Sequence, residues 1–322
     1  MIKHQMKQII KASPIGQIYK SYISFSQWWG EKQWENRRKA YFAKNIDLYG
    51  RILTPEQGNS LIADRIADNE PLMISRFGNT ELDCAYGYMQ GCYKEGMINE
   101  MMVCSGFFPQ QEKLLDQFSE VYLEASKMID ILGVWWFLPG EAEIIRSYSP
   151  DANLVKLSTL EPYYHDNPWS MNLKNKKVLV IHPFTDTISE QYIKHREILF
   201  KNKDILPQFE LMTFKSVQSV VGTKTEFDTW FDAYDWMRDR IKEYDFDIAI
   251  IGCGAYGLPL AAYVKSLGKK AVHLGGATQI LFGIKGKRWD ERSFFQSLYN
   301  EHWVRPKSEE TPQNFQKFGD YW

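Results

Sequence analysis

From about residue 60 onward the chain alternates short apolar segments with longer amphipathic ones, and that rhythm restricts the fold more than any other feature. Seven segments read as strands: PLMISRF (71–77), DILGVWWF (130–137), NLVKLS (153–158), KVLVIHPF (177–184), FELMTF (209–214), DIAIIG (247–252) and KAVHLGG (270–276). They are short and mostly apolar, as parallel strands covered on both faces are, and lack the alternation of a half-solvated strand. Stretches such as 227–243 place apolar residues at helical spacing between them. This order predicts an α/β fold with a Rossmann-like, mainly parallel sheet covered by helices.

Residues 1–50 differ. They hold nine Lys/Arg against three Asp/Glu, whereas the rest of the chain carries 30 against 37. Ile9, Ile10, Ile15, Ile18, Tyr19, Tyr22, Phe25, Trp28 and Trp29 recur at roughly helical spacing, interrupted at Pro14 and Gly16. The chain therefore divides into a basic, aromatic-rich helical segment, 1–55, and a larger domain, 56–322. A basic amphipathic face of this kind either rests on an anionic membrane surface or packs on its own domain or a second copy. Over the whole chain the formal charge is −1, which argues against a general nucleic-acid binder with its basic excess. No apolar run approaches the ~20 residues of a membrane span, and no continuous apolar stretch follows the basic start as in a signal peptide. Cys84, Cys92, Cys104 and Cys253 make neither a CxxC pair nor a zinc-ligand spacing. The expected location is cytoplasmic, at the inner membrane face if 1–50 docks there.

In open parallel sheets ligands bind beyond the carboxyl ends of the strands, so the residues that follow each strand are the candidates. GCGAYGLPLAAYVKSLG, 252–268, follows DIAII and opens a helix. Its Gly252, Gly254 and Gly257 form G-x-G-x-x-G, and with Ala255 and Tyr256 they make a turn that lets a phosphate approach backbone N–H groups. A dinucleotide fold would place an acidic residue at the end of the next strand, where Val272, His273 and Leu274 stand instead. HLGGATQILFGIKGKRW, 273–289, offers His273 at a strand end, Gly275 and Gly276 for close backbone approach, and Lys285, Lys287 and Arg288 to neutralise a diphosphate. In SRFGNTELD, 75–83, Arg76 ends a strand, Gly78 turns, and Asn79, Glu81 and Asp83 open a helix. They serve as caps there or hold phosphate, a divalent ion or a sugar hydroxyl. In VLVIHPFTDTISEQY, 178–192, His182 ends a strand and Thr187 to Glu190 form a capping-box pattern. The loop LEPYYHDNPW, 160–169, carries Glu161, Tyr163, His165, Asp166 and Trp169. For a sugar hydroxyl the candidate bases are Glu161, His182 and Asp83.

SRFGNTELD, LEPYYHDNPW, VLVIHPF and GCGAYGLPLAAYVKSLGKKAVHLGGATQILFGIKGKRW, in that order, resemble the GT-D-fold glycosyltransferases of bacterial surface-polysaccharide and adhesin glycosylation, formerly a domain of unknown function. The resemblance covers about 60–305. It implies a Rossmann-like fold, a UDP-sugar donor, a glycan acceptor, and a divalent metal, Mn²⁺ or Mg²⁺, held through an Asp-x-Glu motif. That motif falls on Asn79, Thr80 and Glu81, so the first carboxylate is replaced by an amide, which can ligate a hard cation but brings no charge. The glycine turn and His273 to Gly276 match as nucleotide-facing elements. Two other readings stay open: an NAD(P)-linked oxidoreductase using the GCGAYG loop, and a non-catalytic nucleotide-binding scaffold.

Overall fold

The computed structural model describes residues 35–312 and 321–322. The amphipathic pattern expected between Ile9 and Trp29 lies outside the described residues. The expected strands form one seven-stranded sheet: β1 Leu72–Arg76, β2 Ile131–Val134, β3 Asn153–Lys156, β4 Lys177–His182, β5 Glu210–Lys215, β6 Ile248–Ile251 and β7 Lys270–His273. Its order is β3-β2-β1-β7-β6-β4-β5, and every pairing is parallel. The central strands β2, β6 and β7 are buried throughout. The edges are marked by charge and polarity: Asn153 and Lys156 end β3, and Glu210 and Lys215 end β5, which discourages pairing with another chain. The Trp135-Trp136-Phe137 stretch, read above as strand, instead turns away after Val134, with Trp136 at φ 55°.

The direction of each connection decides the face on which its helix lies. Connections running toward β3, from β1 to β2, β2 to β3, β5 to β6 and β6 to β7, bury their helices in one core with Leu82, Phe118, Ile144, Trp230 and Leu260. Those running the other way, from β3 to β4 and β4 to β5, pack in a second core with Trp169, Phe184 and Ile188. A single crossover hand requires this sorting. It also opens two crevices at the carboxyl edge. The chain leaves β1 toward one face and β7 toward the other, and β6 and β4 part in the same way; such switch points are where doubly wound sheets take ligands.

Two caps hold the ends of this arrangement. The helix Thr185–Leu199 begins two residues before the expected Thr187 cap and takes its N-terminal acceptor from elsewhere. Buried Glu310 accepts from the N–H of Asp186 at 2.7 Å and from the Thr187 hydroxyl. A charged acceptor from the far end of the chain satisfies the helix dipole better than a local hydroxyl, so Thr187 sits inside the helix. On the other side, residues 35–54 pack on the helix Glu141–Tyr148. Tyr41 donates to Glu143 at 3.2 Å, Tyr49 to Glu141 at 3.0 Å, and Arg146 pairs with Asp47 at 2.8 Å. No described helix is long and apolar enough to cross a membrane.

Candidate functional site

A cleft of about 460 Å³ lies over the carboxyl ends of β1, β7, β6 and β4. It collects Arg76, the 78–81 turn, Glu161, His182, 252–256, His273, Gly275, Gly276 and Arg288. The glycine turn and the start of the Glu81 helix thus face one cavity.

Glu81 is the third residue of the helix Asn79–Met89 and is 8% exposed. Its carboxylate folds back over the helix start, accepting from its own N–H and from Ser105. A Cβ at Gly78 would stand 1.9 Å from Glu81 Oε2, so only glycine lets the carboxylate lie there. Burial raises its pKa; the bonds to its own N–H and Ser105 and the Arg76 charge oppose that rise. Asn79 is the first residue of the same helix and is exposed. The cap of this helix is therefore Gly78, assisted by Glu81, and not Asn79.

The turn 252–256 lines the cleft, and its glycines are also required by close packing behind it. A Cβ on Gly252 would meet the Gly275 carbonyl oxygen at 2.5 Å, and one on Gly254, at φ 58°, the Ser105 oxygen at 2.9 Å. At Gly257 the obstacle is His273 Nε2, at 2.3 Å. The motif lets the helix Gly257–Ser266 lie close to β7. Ala255 and Tyr256 are buried, with the Tyr256 ring stacked on Trp230 at 4.8 Å.

The two histidines are fixed as neutral rings. His182 Nδ1 accepts from the Phe184 N–H at 3.0 Å, which leaves the proton on Nε2. That geometry makes His182 a hydrogen-bond donor and removes it from the general bases. His273 Nδ1 lies 3.0 Å from Ser75 Oγ. Burial lowers both to about 3, with the Arg76 charge contributing at His273.

Glu161 lies at the cleft wall and receives the Tyr163 hydroxyl at 2.5 Å. Burial raises its pKa, against the pull of Tyr163, Arg76, Arg292 and Arg288. The rest of its loop is structural: Trp169 is fully buried and donates to the Leu160 carbonyl, and His165 meets the Thr159 carbonyl. Asp83 is engaged by Lys94 at 2.6 Å and does not line the cleft. Lys285 also lies outside it, with Nζ 5.1 Å over the Tyr299 ring, and Lys287 is exposed beyond the rim.

Several cleft residues had gone unnoticed in the sequence. Arg292 lines the wall one helical spacing after Arg288, a recurrence visible in KRWDER. Trp135 follows β2 at its carboxyl end; its indole donates to the Phe77 carbonyl at 2.9 Å and lies 4.8 Å beneath the Arg76 guanidinium. Buried Gln279 donates to the carbonyls of Ile284 and Tyr321, leaving Oε1 without a partner. Tyr321 crosses the cleft rim, its ring under Arg288 at 4.7 Å.

The pair at 79 and 81 fits a divalent cation poorly. Both line the cleft, Asn79 exposed and Glu81 buried beside Arg76, and together they supply a single carboxylate. No cluster of three or more His, Cys, Asp or Glu suited to a metal occurs among the described residues.

No family model and no curated protein matches the chain. Three solved structures do. A new glycosyltransferase (DUF1792) from Streptococcus sanguinis is 10% identical, covers 83% of this chain and 97% of its own, and superposes with a TM-score of 0.44. A domain of unknown function 1792 described as having a distinct glycosyltransferase fold is 13% identical over 87% and 98%, with a TM-score of 0.44. A selenomethionine-substituted DUF1792 structure is 14% identical over 83% and 93%, with a TM-score of 0.41. This chain is similar to those structures over most of its length. At that identity the likeness assigns no residue a role.

Proposed function

We propose that the cleft transfers a sugar from a nucleoside diphosphate donor to a hydroxyl of a glycan acceptor. The observation that carries this reading is one cavity in which three arginines stand beside two carboxyls of raised pKa, Glu81 and Glu161. Cationic groups match the charge that grows on a departing diphosphate, and they are most effective in a site prepared before the reaction. A carboxylate of raised pKa suits removal of a hydroxyl proton near neutral pH.

In this reaction Glu161 takes the proton of the acceptor hydroxyl while Tyr163 holds it in place. The acceptor oxygen bonds to the anomeric carbon, and the bond from that carbon to the donor phosphate breaks, its electron pair leaving on the diphosphate. His182 offers Nε2–H to a substrate oxygen, and Glu81 organises the 78–81 turn beside Arg76. The resemblance in the sequence extends the reading to a UDP-sugar and to surface-polysaccharide or glycoprotein assembly at the cytoplasmic face of the membrane. Residues 1–50 would then supply membrane or dimer contact.

The end of β7 speaks against a dinucleotide. No carboxylate stands there to meet a ribose, where Val272, His273 and Leu274 are found. Thermal shift against UDP, UDP-sugars and NAD tests the choice, because a ligand of the folded state raises the melting temperature. UDP should shift it and NAD should not. Donor hydrolysis or transfer, followed as released UDP, separates the enzyme from a scaffold that only binds.

A further inference from the structure

We propose that the cleft holds the diphosphate of its donor with the guanidinium groups of Arg76, Arg288 and Arg292 in place of a bridging divalent cation. The identity of the anion rests on the sugar-transfer reading; the mode of binding rests on the geometry alone.

Three observations support it. First, Asn79 and Glu81 both line the cleft but offer a cation one carboxylate between them, and that carboxylate is buried, its charged form supported by its own N–H and by Ser105. A cation drawn to Glu81 would also meet the Arg76 charge, which repels it. Second, the three guanidiniums form no salt bridge among the described residues, although all lie near enough to Glu161 to act on it. Two of them rest on aromatic rings, Arg76 on Trp135 at 4.8 Å and Arg288 on Tyr321 at 4.7 Å. A stacked guanidinium is held flat while its N–H edges stay free, and that planar fork matches phosphate oxygens two at a time. Third, burial disfavours the charged forms of Glu81 and Glu161, the two carboxyls in the same cavity. Burial works against the Arg76 charge as well, so the exposed Arg288 and Arg292 at the rim present most of the positive charge that a diphosphate meets.

The test is isothermal titration of the full chain with inorganic pyrophosphate and with UDP, each in EDTA and in Mn²⁺. Equal affinity in EDTA and Mn²⁺ is expected, weakening as salt is raised. Arg288→Ala and Arg292→Ala, both at the exposed rim, should each bind about 10- to 100-fold more weakly, while Lys285→Ala, outside the cleft, should bind as the parent does. Arg288→Lys keeps the charge but not the fork and should recover only part of the loss. Binding that requires Mn²⁺, unchanged affinity in both arginine variants, or no binding of either anion overturns the proposal. Pyrophosphate binding without UDP binding keeps the arginine site and removes the sugar-transfer reading. UDP binding indifferent to the arginines removes this inference and leaves that reading standing.

Discussion

Glu161 serves the proposed reaction only as the carboxylate, whereas burial favours its protonated form. Turnover should therefore rise with pH through a value above the ordinary carboxylate range. Glu161→Gln should lower kcat by roughly 10² to 10⁴ and abolish the acid limb of the pH–rate profile. The histidines set a second pH dependence, of stability. His182 and His273 titrate near 3 when folded against about 6.5 when unfolded. Below about 6.5 the unfolded chain binds protons that the folded one refuses. Their stabilisation is complete above that pH and drains as pH falls toward 3. Buried Glu81, Glu141 and Glu161, whose pKa values are raised in the folded chain, gain stability over the same fall in pH and oppose the histidines. The histidine share is therefore read as a difference: between pH 7.5 and 5 the melting temperature of His273→Gln should drop less, or rise more, than that of the parent. Much of this scale was legible because the sheet rule points to strand ends and the loops beyond them, as with Arg76 at the end of β1 and Glu161 in the loop past β3. Gln279 and Trp135 were not: an apolar run hides where a strand stops, and an orphaned amide oxygen exists only once its neighbours are placed.

Among the elements, the turn after β2 is the most tightly specified. Fully buried Glu141 accepts from the N–H of Trp135 at 2.8 Å and of Trp136 at 2.7 Å, besides Tyr49. It holds Trp136 in the left-handed region, where a non-glycine residue is strained. Glu141→Ala would leave both part-buried N–H groups without their acceptor, at about 1 kcal/mol each. A lower melting temperature and altered tryptophan fluorescence are expected, together with weaker UDP binding, since Trp135 supports Arg76. Gly257→Ala drives a Cβ into His273. It should cost about 1–3 kcal/mol in urea unfolding and displace the imidazole. The GxGxxG spacing was plain in the sequence, but its cause was not. The same letters serve a phosphate and a close helix–strand contact, and the second shows only in the positions of Ser105, His273 and Gly275. Thr187 misled for a similar reason, because the acceptor it seemed to supply comes from Glu310, 123 residues away.

At the scale of the molecule, the strands were legible as apolar runs, and their parallel pairing followed from burial on both faces. Their lateral order was not, because nothing in KAVH distinguishes a central strand from an edge. That order matters most at β7, which joins the β3-β2-β1 half of the sheet to the β6-β4-β5 half. Leu72 pairs with Lys270 across 198 residues. A chain ending at residue 268 should show no cooperative thermal transition and no UDP binding, measured by near-ultraviolet circular dichroism and titration.

On the ribosome the same arrangement sets a clock. At roughly 5–20 residues per second, β1 emerges about 10–40 s before the strand that will sit beside it. Throughout that interval its hydrogen-bonding edge is open to any passing strand. Arg76 and the turn that follows it are synthesised early, yet the cavity they belong to closes only when residues 270–273 slide between two half-built sheets. A nascent chain of this protein is thus exposed to mispairing for most of its own translation, and slower elongation lengthens the hazard in proportion.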